Sequence, residues 1–127
     1  FITSFEEQNI TYRVVQISGS ISVNTDLLRQ HPKALEIIQS FSNQAKPIAV
    51  ICHAPLVLIK AEQIKTKHLT SHKNIRLDLE NAGAIWVDEA VHTCYASGWT
   101  LISSRNPEDL PAFNKAILKE LESNSSV

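Results

Sequence analysis

One short stretch carries most of the information on the fold of this chain, namely Ile48-Ala49-Val50-Ile51-Cys52-His53-Ala54-Pro55. Its first four residues are all apolar, which is typical of a strand covered on both faces of a parallel sheet. Pro55 favours the first turn of a helix, because a first-turn residue needs no N–H donor. The stretch therefore predicts a strand that passes through Cys52 and His53 directly into a helix, at the sheet edge where α/β proteins form their clefts.

Strand and helix patterns alternate on both sides of this stretch. The β-branched run from Arg13 to Ile17 predicts a strand that ends in the turn Ser18-Gly19-Ser20, and Asn106 with Pro107 predicts the start of a closing helix. The apolar face of that helix is predicted to contain Leu110, Phe113, Ile117 and Leu121. The other predictions are helices over Pro32–Phe41, Pro55–Ala61 and Asn74–Ala82, the last ended by Gly83, and strands over Leu69–Thr70, Ala84–Val87, Val91–Tyr95 and Trp99–Ser103. This alternation predicts a layered α/β domain with a mostly parallel sheet.

Length and composition place the chain among ordinary globular domains. Its 127 residues suit one hydrophobic core, so we expect a single domain over residues 1–127 with a frayed polar tail over residues 122–127. The formal charge of -1 leaves no positive surplus for nucleic acid or an anionic membrane, and no apolar run approaches the roughly 20 residues that span a bilayer. Two distant cysteines, Cys52 and Cys94, favour a reducing cytoplasm over a secreted disulfide scaffold.

Cys52 and His53 are the residues whose chemistry stands out. A thiol at a strand-to-helix elbow faces the positive end of the next helix, which favours the thiolate. His53 can accept or return a proton, provided that Cys52 adopts an unusual backbone conformation, because adjacent side chains normally diverge. A buried free cysteine beside a hydrogen-bonded histidine is an equally good interpretation of the dipeptide taken alone.

Three longer blocks resemble, in order and spacing, the signatures of the ThiJ/PfpI family: Lys46–Pro55, Ser71–Asp88 and Ile102–Phe113. The resemblance implies a flavodoxin-like domain, in which a mostly parallel sheet is flanked by helices. It also implies that Cys52 is the nucleophile and His53 its catalytic partner, with no cofactor. Asp78 and Arg105 match family positions, and we expect them to form structural hydrogen bonds.

The resemblance further implies backbone donors for an oxyanion. The family has a Pro-Gly-Gly turn after an earlier strand, and Ser18-Gly19-Ser20 resembles that turn with one glycine kept. Gly19 and Ser20 are therefore candidate N–H donors, together with His53 at the start of the elbow helix. A plain turn is the alternative interpretation of Gly19.

The front of the chain departs from the family pattern. Phe1 to Asn9 resembles the family's Phe-Glu-x-x-Glu strand end, with Glu6 in the first acidic position and Asn9 in the second. Glu6 is thus a candidate partner of the cysteine, and a solvated charge at a terminus is the alternative. Because few residues separate Asn9 from Val14, we expect a shortened or incomplete N-terminal part, with the exposed sheet covered by another copy of the chain. The resemblance implies that this homo-oligomer is a dimer or a hexamer.

The remaining histidines predict no metal site. His31, His68, His72 and His92 lack a metal-ligand spacing, and Cys94 is not paired locally with any of them. His72 follows the Thr-Ser block, where the family often has a residue that faces the active site, but we expect a surface histidine.

The leading hypothesis is a cysteine-dependent stress enzyme that acts on a carbonyl substrate, a small molecule or a peptide, through Cys52 and His53. The family includes peptidase or amidase, glyoxalase and deglycase activities, and the fold does not choose among them. The alternatives are a redox sensor or chaperone in which Cys52 is oxidised, and a catalytically inactive scaffold. A glutaminase is the weakest hypothesis, because no later histidine has a glutamate two residues on.

Overall fold

The computed structural model describes the backbone of residues 15–19 and 32–125, and the side chains of residues 32–122. The strands are β1 (Val15–Gly19), β2 (Ile48–Cys52), β3 (His68–Leu69), β4 (Ile85–Trp86), β5 (Val91–Cys94) and β6 (Leu101–Ser104). The α-helices are α1 (Pro32–Asn43), α2 (Pro55–Lys60), α3 (Arg76–Asn81) and α4 (Leu110–Ser125). Short 3-10 turns over Lys73–Ile75 and Pro107–Asp109 lead into α3 and α4, and a third covers Ala96–Gly98.

Four of the strands form the main sheet, in the order β1-β2-β6-β5. β2 is parallel to both of its neighbours, and β5 runs antiparallel to β6. The register places Gly19 beside Cys52, and Ile51 beside Ser104, so the carboxyl ends of β1, β2 and β6 meet at one edge. β3 and β4 form a separate parallel pair. The predicted mostly parallel sheet flanked by helices is confirmed.

Each face of the sheet carries its own hydrophobic core. Ile48 and Val50 of β2 and Leu101 of β6 pack on the face covered by α1, α2 and α3. Ile51 of β2 and Ile102 of β6 pack on the opposite face, against α4. This two-sided burial explains why β2 is apolar at every position, since neither of its faces meets water.

The closing helix differs in detail from its prediction. The Asn106 side chain forms no cap hydrogen bond, and Leu110 remains 39% exposed, whereas Phe113 and Ile117 are buried as expected. The reason is that a 3-10 turn over Pro107–Asp109 precedes the helix. In this turn the Asp109 side chain is buried and accepts a hydrogen bond from Arg105. α4 then continues to Ser125, past the end of the apolar pattern. Within the part of the chain that the structure describes, no helix is both long and apolar enough to cross a bilayer.

Candidate functional site

Cys52 occupies a strained elbow at the end of β2. Its φ angle is 61°, a left-handed conformation that costs a residue with a Cβ about 1–3 kcal/mol. The turn is closed by the Ala54 N–H, which donates to the Ile51 carbonyl at 3.1 Å. The Cys52 carbonyl accepts from the His72 N–H at 2.9 Å. The unusual backbone that the sequence required at Cys52 is therefore present, and contacts from a distant segment hold it.

The environment of the thiol disfavours its ionised form. Cys52 is only 6% exposed, and burial raises the pKa of its thiol, with the charges of Asp109 and Glu108 raising it further. The sequence predicted the opposite direction, from the dipole of the following helix. Burial of the sulfur is the largest cause of the raised pKa, and α2, which has only six residues, is a short source of any opposing field.

The imidazole of His53 packs against a second histidine. The rings of His53 and His72 are stacked, with their centroids 4.6 Å apart and their planes 19° from parallel. His53 is 8% exposed, and His72 is half-buried, with its Nδ1 accepting from the Asn74 N–H at 3.2 Å. The sequence predicted a surface histidine; His72 is only partly exposed, and its ring contacts the site. The one sequence signal that pointed to it was its position after Thr70-Ser71.

A short chain of hydrogen bonds orders the segment that carries His72. The indole Nε1 of Trp86 donates to the Ser71 hydroxyl at 3.0 Å, and that hydroxyl donates to the His72 carbonyl at 2.9 Å. The Thr70 N–H donates to the Ser103 hydroxyl of β6 at 3.0 Å. Because these bonds connect the segment to β4 and β6, the sheet region around them positions both the His72 ring and the His72 backbone N–H that binds the Cys52 carbonyl.

Arg105 and Asp109 form the other side of the site, at the end of β6. The Arg105 guanidinium donates from Nε to Asp109 Oδ2 at 2.9 Å and from one terminal nitrogen to Oδ1 at 3.1 Å. Its other terminal nitrogen donates to Asp88 Oδ1 at 2.9 Å. The expected structural hydrogen bonds of Arg105 are thus present, whereas Asp78 is an exposed residue of α3.

The structure brings part of the predicted site together. Cys52 and His53 are adjacent at the elbow, and the backbone of Gly19 pairs with Cys52 at the edge of the sheet. Ser20 and Glu6, the other two candidates, lie outside the described residues, so their roles stay predictions. Among residues 32–122, no three or more Cys, His, Asp or Glu side chains are placed to hold a metal ion.

The chain is similar in sequence to several known proteins. The chain is 39% identical over 97 residues to General stress protein 18 of Bacillus subtilis, covering 76% of this chain and 55% of that protein. It is 40% identical over 96 residues to Protein/nucleic acid deglycase 2 of Escherichia coli, covering 76% and 54%. The chain thus spans about half the length of the curated relatives it matches.

Solved structures give the same result for the fold. A two-domain protein from Anabaena variabilis, with DJ-1/ThiJ/PfpI-like and ferritin-like domains, superimposes with a TM-score of 0.77 at 36% identity, over 87% of this chain and 30% of that one. The sequence profile of the DJ-1/PfpI family matches residues 3–120. Since that match spans nearly the whole sequence, the chain belongs to the DJ-1/PfpI family.

Proposed function

We propose that this protein is a cysteine-dependent enzyme of the glyoxalase or deglycase type, in which the Cys52 thiol adds to the carbonyl carbon of a small substrate. The observation that carries the proposal is the left-handed backbone of Cys52. Strain of this kind persists only where surrounding contacts maintain it, and it concentrates at functional sites. The deglycase among the relatives supports the same class of chemistry.

The burial of the elbow favours a small substrate over a peptide. Cys52 and His53 are 6% and 8% exposed, so a peptide segment would have to open the site before its carbonyl reached the sulfur. A 2-oxoaldehyde such as methylglyoxal is small enough to enter with less rearrangement, and its aldehyde carbon is a strong electrophile. We therefore place 2-oxoaldehydes ahead of peptide amides as substrates.

The first step is a balanced addition across the C=O bond. The Cys52 proton passes to a base, for which His53 is our candidate, and the Sγ–C bond forms as the π electrons move to oxygen. The protonated base then returns the proton to that oxygen and gives a hemithioacetal. Backbone N–H groups near Gly19 and the elbow are our candidates for stabilising the developing oxyanion.

Two further steps convert the hemithioacetal into a 2-hydroxy acid. The hydrogen of the former aldehyde carbon leaves as a proton and returns to the neighbouring carbon. The proton of the hemithioacetal hydroxyl moves to the neighbouring carbonyl oxygen, which becomes the 2-hydroxyl, so a thioester forms without any external oxidant. Water then cleaves the thioester, forming the carboxylate and restoring the thiol. A histidine near the sulfur is a suitable carrier for both protons, because an imidazole exchanges protons near neutral pH.

Turnover of methylglyoxal by the Cys52→Ser and His53→Ala variants tests the proposal, with a fluorogenic peptide amide as the competing substrate. We expect Cys52→Ser to abolish turnover and His53→Ala to lower it by a smaller factor, within the range of about 100- to 10,000-fold typical of general acid–base catalysis. Cys94→Ser is the matched control, because it removes the other buried thiol of the described chain, and it should leave the rate unchanged.

The outcomes separate the competing functions. Full methylglyoxal turnover by Cys52→Ser would contradict the proposal. Cys52-dependent cleavage of the peptide amide without methylglyoxal turnover would replace it with a peptidase.

A further inference from the structure

Cys52 and Arg105 are neighbours across the main sheet. Each follows the last residue that pairs between these two strands, since the β2–β6 register ends with Ile51 beside Ser104. The two strands are parallel, so their carboxyl ends meet at the same edge. Arg105 and Cys52 therefore lie at the same edge of the sheet, although 53 positions separate them in the sequence.

A buried carboxylate accompanies the thiol at this edge. Asp109 is only 7% exposed, and its negative charge acts on Cys52. Its hydrogen bonds with Arg105 hold the pKa of Asp109 below its ordinary value, so the carboxylate stays ionised across the neutral range. A carboxylate with little water around it repels a neighbouring thiolate more strongly than one at the surface does.

The Arg105 guanidinium compensates the negative charge of the Asp109 carboxylate. Nε and one terminal nitrogen contact the two Asp109 oxygens, and the Arg105 backbone N–H adds a third bond to Oδ2 at 3.2 Å. This fork geometry fixes the carboxylate in orientation as well as in charge. The remaining partner, Asp88, is 70% exposed, so its pull on the guanidinium is weakened by water.

We propose that Arg105 is a positioning residue for the nucleophile, acting through Asp109: it holds and neutralises the buried carboxylate so that Cys52 faces an ion pair instead of a bare negative charge. The proposal rests on the proposed function in that it takes Cys52 as the nucleophile. Among the described residues, Glu108 also opposes ionisation of the thiol. His53 follows Cys52 directly and stacks on His72, whose N–H binds the Cys52 carbonyl.

The pH dependence of Cys52 alkylation tests this role without requiring a substrate. Iodoacetamide is reacted with the intact protein across a pH series, and the Cys52 peptide is quantified by mass spectrometry separately from that of Cys94. We expect Arg105→Gln to slow alkylation of Cys52 at pH 7 about two- to fivefold. The midpoint of the curve of alkylation rate against pH should also move to higher pH. Asp109→Asn should accelerate alkylation and move the midpoint to lower pH.

Two further variants separate an electrostatic role from a structural one. Arg105→Lys keeps the positive charge and loses the fork, so its midpoint should lie between those of the wild type and Arg105→Gln. In the Asp109→Asn background, Arg105→Gln should have a smaller effect, because the charge that it compensates is gone. Lys119→Gln is the control, since it removes one positive charge from an exposed position on α4.

The outcomes are decisive for the proposal. Circular dichroism of each variant identifies any that fails to fold, and Arg105→Lys with Asp109→Asn then carries the test without Arg105→Gln. Equal midpoints in the wild type and the folded Arg105 variants would overturn the role of Arg105. The Cys52→Ser turnover assay fails or succeeds independently of these midpoints, so failure of the enzyme proposal would be seen separately.

Discussion

Lys67 shows how strongly one buried residue can depend on its surroundings. Its side chain has no exposed surface, and its Nζ donates to the carbonyls of Ala96 and Trp99. The ammonium also lies 3.9 Å from the centre of the Trp99 ring. These contacts connect the chain just before β3 to the turn between β5 and β6. Burial nevertheless lowers the pKa of Lys67 to about 8, although the nearby Cys94 opposes that shift.

This lowered pKa predicts that the protein gains stability as the pH rises from about 8 towards 10.5, the ordinary value for lysine. In that window the unfolded chain retains the Lys67 proton and the folded chain releases it, so the free energy of unfolding increases with pH, by up to about 3 kcal/mol. Urea unfolding at several pH values measures the slope. Lys67→Met should remove this contribution, and an identical slope in both proteins would contradict the assignment.

At the scale of the element, Gly83 ends α3 and joins it to β4. Its φ angle is 98°, and its N–H donates to the Glu80 carbonyl at 3.0 Å. The Gly83 carbonyl accepts from the Thr66 N–H at 3.0 Å, which connects the end of α3 to the loop before β3. A side chain at this position would be strained by the backbone and would also meet Lys65 Cγ at 3.1 Å. The glycine is therefore required for both the turn and the close approach.

We expect Gly83→Ala to lower the free energy of unfolding by about 1–3 kcal/mol. Gly98→Ala is the matched control, because Gly98 has a φ of 83° but nothing lies within 4 Å of a Cβ there. It should cost less, since only the backbone is strained. Thermal and urea unfolding of both variants compare the two costs. An equal or larger loss in Gly98→Ala would contradict this prediction and would mean that the contact with Lys65 adds no cost.

At the scale of the whole molecule, several large apolar side chains remain in water. Leu77 of α3, Tyr95 after β5 and Leu118 of α4 are 67%, 66% and 60% exposed. Burial of such a side chain between two copies of the chain would contribute about 1.5–3 kcal/mol. The expectation of a homo-oligomer therefore has a physical basis, and it stays a prediction.

Light scattering coupled to size-exclusion chromatography at micromolar concentration tests the oligomer. We expect a mass of two or more chains, because closed symmetric assemblies are the usual way for a small protein to cover apolar surface. Dilution into the nanomolar range should shift the mass downward if the interface is modest. A monomer at every concentration would contradict this prediction.

The sequence by itself determined the order of the elements and the position of the elbow. An apolar run without polar alternation indicates a strand buried on both faces, and a proline or glycine marks a boundary through its own backbone preferences. These are local properties, so β2, the start of α2 and the end of α3 at Gly83 could all be predicted. The family blocks then identified Cys52 and His53 as the centre of the site.

Only the tertiary structure decided what surrounds that centre. The stacking of His72 on His53, the placement of the Arg105–Asp109 pair beside Cys52 and the full burial of Lys67 all join segments far apart in sequence. The direction of the Cys52 pKa was mispredicted for the same reason, because it depends on desolvation and on charges brought near in space. Local sequence patterns contain neither the desolvation of the thiol nor the charges near it. Both arise only when the sheet edge, α4 and the segment after β3 pack together.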